Sequence, residues 1–143
     1  MLKITKKIEY SLIALKHIGT QKKNKVSTAK EISLLYRIPR ELLAKILQQL
    51  TRDGFIHSVQ GPKGGYVLAR KPKNVNLIDL IRTIEGESVL IECISESGDD
   101  CIRSDDCVIR SPMQQINKQM LQFFKMVTLE DVIFGKIPDF DFA

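Results

Sequence analysis

The stretch that decides the fold runs Ile38-Pro39-Arg40-Glu41-Leu42-Leu43-Ala44-Lys45-Ile46-Leu47-Gln48-Gln49-Leu50. After a short gap comes Phe55-Ile56-His57-Ser58-Val59-Gln60-Gly61-Pro62-Lys63-Gly64-Gly65-Tyr66-Val67-Leu68-Ala69. A residue before proline avoids helical geometry and proline suits a first helical position, so a helix is expected to open at Pro39. Leu43, Ile46, Leu47 and Leu50 recur at helical spacing and form its buried stripe, leaving Arg40, Glu41, Ala44, Lys45, Gln48 and Gln49 outward. Residues 55–59 and 66–69 are β-prone runs joined by a glycine-rich turn that needs positive φ, which makes a hairpin.

Upstream, Thr28 and Glu31 have the spacing of a capping box, with Ile32 and Leu35 as the buried face of the helix they open. Ile4, Ile8, Leu12 and Leu15 mark an amphipathic helix over about residues 5–19 that Gly19 can end. Two short helices separated by a tight turn, the second exposing Arg, Lys and Gln, form a helix-turn-helix pattern, whose use is to set base-reading side chains in a major groove. The hairpin that follows makes a wing, and its tip carries Lys63 and glycines able to approach a sugar–phosphate backbone. It lacks the strand-turn-helix setting of a phosphate-binding loop. The expected fold is mainly α: a winged helix-turn-helix with a small β-hairpin wing and a long C-terminal dimerisation helix.

That terminal helix is expected from Ser111, Pro112 and Gln114, which resemble a capping box, to about Met126. Met113, Ile116, Met120, Phe123 and Val127 give it an a/d seam suited to a homodimer. Before it, Asn76 is expected to cap a helix carrying Leu77, Leu80, Ile81 and Ile84, closed by Gly86. Thr128 and Asp131 cap a last short helix, and the tail from Pro138 is expected to be loosely held.

Charge divides the chain in two. Residues 1–75 hold 16 Lys/Arg against 4 Asp/Glu, a net of +12, and residues 76–143 hold 6 against 13, a net of −7. A basic half points to a polyanion such as double-stranded DNA, and the division suggests a DNA-binding domain over 1–75 and a sensing and dimerising part over 76–143. Neither a membrane span nor a signal peptide's apolar run is visible, so a cytoplasmic location is expected. No nucleophile–base pair or cofactor fingerprint suggests an enzyme. Cys93, Cys101 and Cys107 stand as C-x7-C-x5-C. These intervals are long for a zinc knuckle and leave two options open, an iron–sulfur cluster and a metal-free thiol switch.

The chain resembles the Rrf2/BadM family of winged-helix regulators over nearly its whole length. The resemblance rests on Ile4-Thr5-Lys6-Lys7 with Tyr10, on the residues of 38–50 and on 54–66, and on Leu77, Ile81, Glu85-Gly86, the three cysteines and Thr128-Leu129-Glu130-Asp131. It implies a homodimer reading a two-fold symmetric operator, with an iron–sulfur cluster, [4Fe–4S] or [2Fe–2S], near the dimer interface. Cluster occupancy would then control whether residues 92–107 are tied to the partner's first helix, and so how the reading heads are spaced. Of the iron–sulfur branches, the IscR type has a histidine three positions past the last cysteine, where this chain has Arg110. The NsrR type has a carboxylate on the first helix of the partner, which matches Glu9, and the cysteine intervals are nearest the RirA type. Base-contacting positions carry over to Glu41, Ala44 and Lys45 and the wing arginine to Gln60; Ala44 and Gln60 depart from the IscR pattern. Thr28, Arg40, Gln48, Lys63 and Gly64 complete the expected DNA-contacting set. A cluster-free thiol-based or metabolite-responsive repressor on the same frame is the alternative. His17 and His57 are expected to be packing or surface residues.

Overall fold

The computed structural model describes residues 4–86 and 106–139. Six α-helices among them are α1 (Lys6–Gly19), α2 (Ala29–Tyr36), α3 (Arg40–Arg52), α4 (Leu77–Glu85), α5 (Arg110–Met126) and α6 (Leu129–Phe134), with strands β1 (Ile56–Val59) and β2 (Gly65–Leu68) between α3 and α4. The strands pair antiparallel in the register Ile56 with Leu68 through Val59 with Gly65. This is the expected mainly helical frame with one hairpin.

The core gathers around α3. Leu43, Ile46, Leu47 and Leu50 are all buried and meet Ile8, Leu15 and Ile18 of α1, Ile32 of α2 and Leu80 and Ile84 of α4. Each such side chain contributes about 1.5–3 kcal/mol on leaving water, so α3 anchors the unit. The turn between α2 and α3 is closed by Arg37 in the left-handed region, with φ 54°, whose N–H reaches the Ser33 carbonyl. Ser33 Oγ donates to the Ile38 carbonyl at 2.8 Å, and buried Ile38 pins the turn to the core. Pro39 sits at the N-cap, so α3 starts one residue later than expected.

Several details differ from the sequence reading. Ile4 precedes N-cap Thr5 and lies outside the α1 periodicity, and it is 60% exposed. Leu35 is 61% exposed, because the eight-residue α2 buries only Ile32. Gly19 lies inside α1, and Thr20 is the C-cap. A Cβ at Gly19 would stand 2.8 Å from Ile133 Cδ1, so this glycine admits α6 instead of ending the helix. Asn76 makes no side-chain cap bond; its Nδ2 donates to Asp79 Oδ2 at 3.1 Å. Gly86 does close α4, at φ 85°. The start of α5 is Arg110, with no side-chain cap bond, so Ser111 and Pro112 lie within its first turn. Thr128 and Asp131 form the expected capping box on α6.

Candidate nucleic-acid interface and cysteine site

Helix α3 buries its aliphatic stripe and turns Arg40, Glu41, Ala44, Lys45 and Gln48 to solvent. Gln49 is the exception to the expected outward face: half-buried, it donates Nε2–H to the Thr83 carbonyl at 2.6 Å and ties α3 to α4. Among the described residues Arg40, Lys45 and Lys63 form no ion pair, so their charges are available to a polyanion. Thr28 is the α2 N-cap; its hydroxyl accepts from Glu31 N–H at 3.1 Å and retains its own proton to donate.

The wing is fixed to this head by a contact the sequence gives no sign of. Ser27 N–H donates to the Tyr66 carbonyl at 3.0 Å and Tyr66 N–H to the Ser27 carbonyl at 2.7 Å, a one-residue third strand immediately before the α2 cap. The three turn glycines serve different ends. Gly61 has φ 111°, which favours glycine. Gly64 and Gly65 lack positive φ but are crowded: a methyl at Gly64 would overlap the Val59 carbonyl oxygen, and one at Gly65 would lie 2.6 Å from the Ser27 carbonyl oxygen. Gly64 N–H donates to the Gly61 carbonyl at 2.9 Å, so this amide is committed to the turn. Lys63 and Gln60 are exposed, and Gln60 Nε2–H donates to Ser58 Oγ at 3.1 Å. The base of the hairpin is braced by Arg70, which stacks 4.7 Å from the Phe55 ring centroid and donates to the carbonyls of Gly54 and Asp53 at 3.1 and 2.9 Å.

Exposed Arg37, in the turn before α3, adds a cation that the sequence reading left out of the interface. Its signal was a basic residue directly before the Ile-Pro break. His57 is exposed on β1, whereas His17 packs inside, its Nδ1 2.9 Å from Tyr36 Oη and its Nε2 3.6 Å from Glu31 Oε1.

Of the three cysteines, Cys93 and Cys101 lie outside the described residues. Cys107 is half-buried, bears a free thiol, and its carbonyl accepts from Arg110 N–H at 3.3 Å in the turn into α5. Glu9, half-buried in the first turn of α1, pairs with Lys6 at 2.8 Å. The hydrogen bond and charge of Glu9 raise the Lys6 ammonium above the ordinary lysine value. One residue before α1, the Thr5 hydroxyl donates to Glu85 Oε1, so the end of α4, where the cysteine segment departs, lies beside the start of α1. Helix α5 packs on α4 and has Asn117 as its buried residue. Ile116, Gln119, Met120 and Phe123 line a shallow hollow on it. Val127, expected in the same seam, is 1% exposed core, and its carbonyl accepts from Leu77 N–H at 2.8 Å.

The NsrR regulator of Oceanobacillus iheyensis is 32% identical over 135 residues, covering 92% of this chain and 90% of its own. Among solved structures, CymR, the global cysteine regulator of B. subtilis, superposes with a TM-score of 0.75 at 24% identity, covering 95% of this chain and 99% of that one. T. potens IscR does so with a TM-score of 0.73 at 22% identity, covering 97% and 94%. Among the described residues no helix is long and apolar enough to cross a membrane. The family model for Rrf2, described as an iron-dependent transcriptional regulator, matches residues 4–135, and the chain therefore belongs to the Rrf2 family of winged-helix transcriptional regulators.

Proposed function

We propose that this regulator is a homodimer that reads a two-fold symmetric operator, Arg40, Glu41, Ala44, Lys45 and Gln48 facing base edges and Thr28, Gln60, Lys63 and Gly64 lying along the backbone. The division at residue 75 separates this reading head from the sensing part. The observation that carries the DNA reading is the solvent face of α3, cationic and forming no ion pair among the described residues, beside a wing tip bearing Lys63. The hollow of α5 supports dimerisation: Ile116 is 49% exposed, and an apolar face of that kind is covered by a second copy in dimeric DNA-binders.

Sensing rests on Cys93, Cys101 and Cys107, which suit an iron–sulfur cluster, with Glu9 of the partner as the fourth ligand. Cys107 fits a thiolate donor by being half-buried and outside any disulfide. When bound, the cluster would supply a redox- and iron-sensitive link between the cysteine segment and α1. About 1.4 kcal/mol of coupling changes operator occupancy tenfold, so a modest link suffices. The same cysteines would serve the alternative, a thiol regulator without a cluster. The absorbance spectrum of anaerobically purified full-length protein separates the two: charge-transfer bands lost in Cys93→Ala support the cluster, and a colourless protein with the same DNA affinity supports the thiol reading. For the DNA interface, affinity should fall about a thousandfold between 50 and 200 mM salt for about six phosphate contacts, and Lys63→Ala, which removes one contact from each protomer, should lower that slope by about two. Affinity independent of salt would exclude the interface.

A further inference from the structure

The cavity between α4 and α5 has a volume of about 330 Å³. Arg82 of α4 and Lys118 and Lys125 of α5 line it, with Asp79 as the only carboxylate among its described residues. Asn76 Nδ2–H donates to Asp79 at 3.1 Å, and among the described residues none of the three cations forms an ion pair. Ile78, 3% exposed, supplies an apolar wall together with Leu121.

This grouping runs against the local charge. Residues 76–143 contain only 6 Lys/Arg in a segment with 13 Asp/Glu, yet three of those cations surround one cavity, and among the described residues none of the three takes a neighbouring acid. Arg82 and Lys125 stand in the last turns of their helices, where a cation compensates the helix dipole. Lys118 stands in the middle of α5, where that explanation fails. Like charges around a hollow with an apolar wall focus a positive potential, and an arginine there offers paired donors to a carboxylate or phosphate while lysines neutralise a second charge.

We propose that this cavity binds a small multivalent oxyanion, a di- or tricarboxylate or a phosphate-bearing metabolite. Arg82 takes one anionic group and Lys118 with Lys125 takes another, so the ligand bridges α4 and α5. Because α4 is tied to α3 through Gln49 and the Thr83 carbonyl, occupancy is communicated to the recognition helix. That last consequence rests on the DNA reading above; the binding does not.

Calorimetric titration of the full chain with citrate, and separately with pyrophosphate, at about 150 mM salt tests the site under screened conditions. One anion per chain is expected, with affinity reduced about tenfold or more in Lys118→Gln and in Arg82→Ala and unchanged in Lys63→Ala. Citrate preference identifies the carboxylate source and pyrophosphate preference the phosphate source. No binding of either anion overturns the proposal. So does binding that ignores Lys118 and Arg82, or that is lost in Lys63→Ala, which would place the anion on the DNA face. Lys118→Gln changes an exposed side chain, and circular dichroism verifies that it folds. Operator binding by the anion-free chain, measured in parallel, tells failure of the cavity from failure of the DNA reading.

Discussion

Helices α3 and α5 are both amphipathic, but they use their apolar faces differently. In its 13 residues α3 buries Leu43, Ile46, Leu47 and Leu50 within its own chain. In its 17 residues α5 buries Asn117, and Ile116, Met120 and Phe123 line an open hollow. An amphipathic pattern therefore specifies that a face will be covered, not by what. The winged head buries its stripe within one chain, whereas the hollow of α5 stays open and is the surface the proposed dimer would cover. The sharpest way to break this contrast is to truncate each face. Leu47→Ala should cost about 3 kcal/mol of unfolding free energy, from lost transfer and the cavity left behind, whatever the protein concentration. Met120→Asp should leave the monomer folded but bury unpaired charge at the seam, so that the dimer dissociates in ultracentrifugation and operator affinity collapses. A Met120→Asp protein that remains dimeric would reassign the hollow of α5 to some other partner.

The wing permits a finer test of what packing and backbone geometry each require. Gly65→Ala puts a methyl 2.6 Å from the Ser27 carbonyl oxygen, and backbone must move on both sides of the bridge that joins wing to α2. Gly61→Ala meets nothing within 4 Å but must hold φ 111°, a strain of about 1–2 kcal/mol. Operator affinity is expected to drop about tenfold in Gly65→Ala, equivalent to 1.4 kcal/mol, and less in Gly61→Ala, whose turn can relax into solvent. Equal losses in a fluorescence anisotropy titration would mean that the wing tip, not its anchorage on Ser27, governs binding.

The same contrast explains what could be read from the sequence. The stripe of α3 was legible because four aliphatic residues at helical spacing leave one solution, and the solvent-facing Arg40, Lys45 and Gln48 followed from it. Gln49 was misread because it borders the stripe, where a carboxamide can reach a neighbouring carbonyl as easily as water. Val127 continued the heptad of α5 but is core, since spacing alone does not tell burial within a chain from burial between chains. Leu35 shows the reverse error, an apolar residue at helical spacing on a helix too short to bury it. Ser27 could not be found at all, because a one-residue strand has no periodicity. Of the expected cluster ligands, Cys107 and Glu9 lie among the described residues, while Cys93 and Cys101 fall outside them.

Glu9 provides the smallest expected effect on the fold and for that reason a clean probe of ligation. Its described partner is Lys6, in an exposed pair of the kind that adds little to stability. Because the Lys6 ammonium is raised, the contribution of its protonation is present below the ordinary lysine pKa and is lost as pH climbs through the raised value. At neutral pH the pair is intact, and Glu9→Ala removes it without leaving a buried charge behind. The thermal midpoint of the cluster-free protein should therefore shift by no more than about a degree at pH 7. A carboxylate is a hard, exchangeable ligand beside three thiolates, so its loss should leave cluster assembly possible but speed iron release to a chelator. Iron release from Glu9→Ala at the parent's rate, with an unchanged spectrum, would reduce Glu9 to the partner of Lys6 and assign the fourth ligand elsewhere.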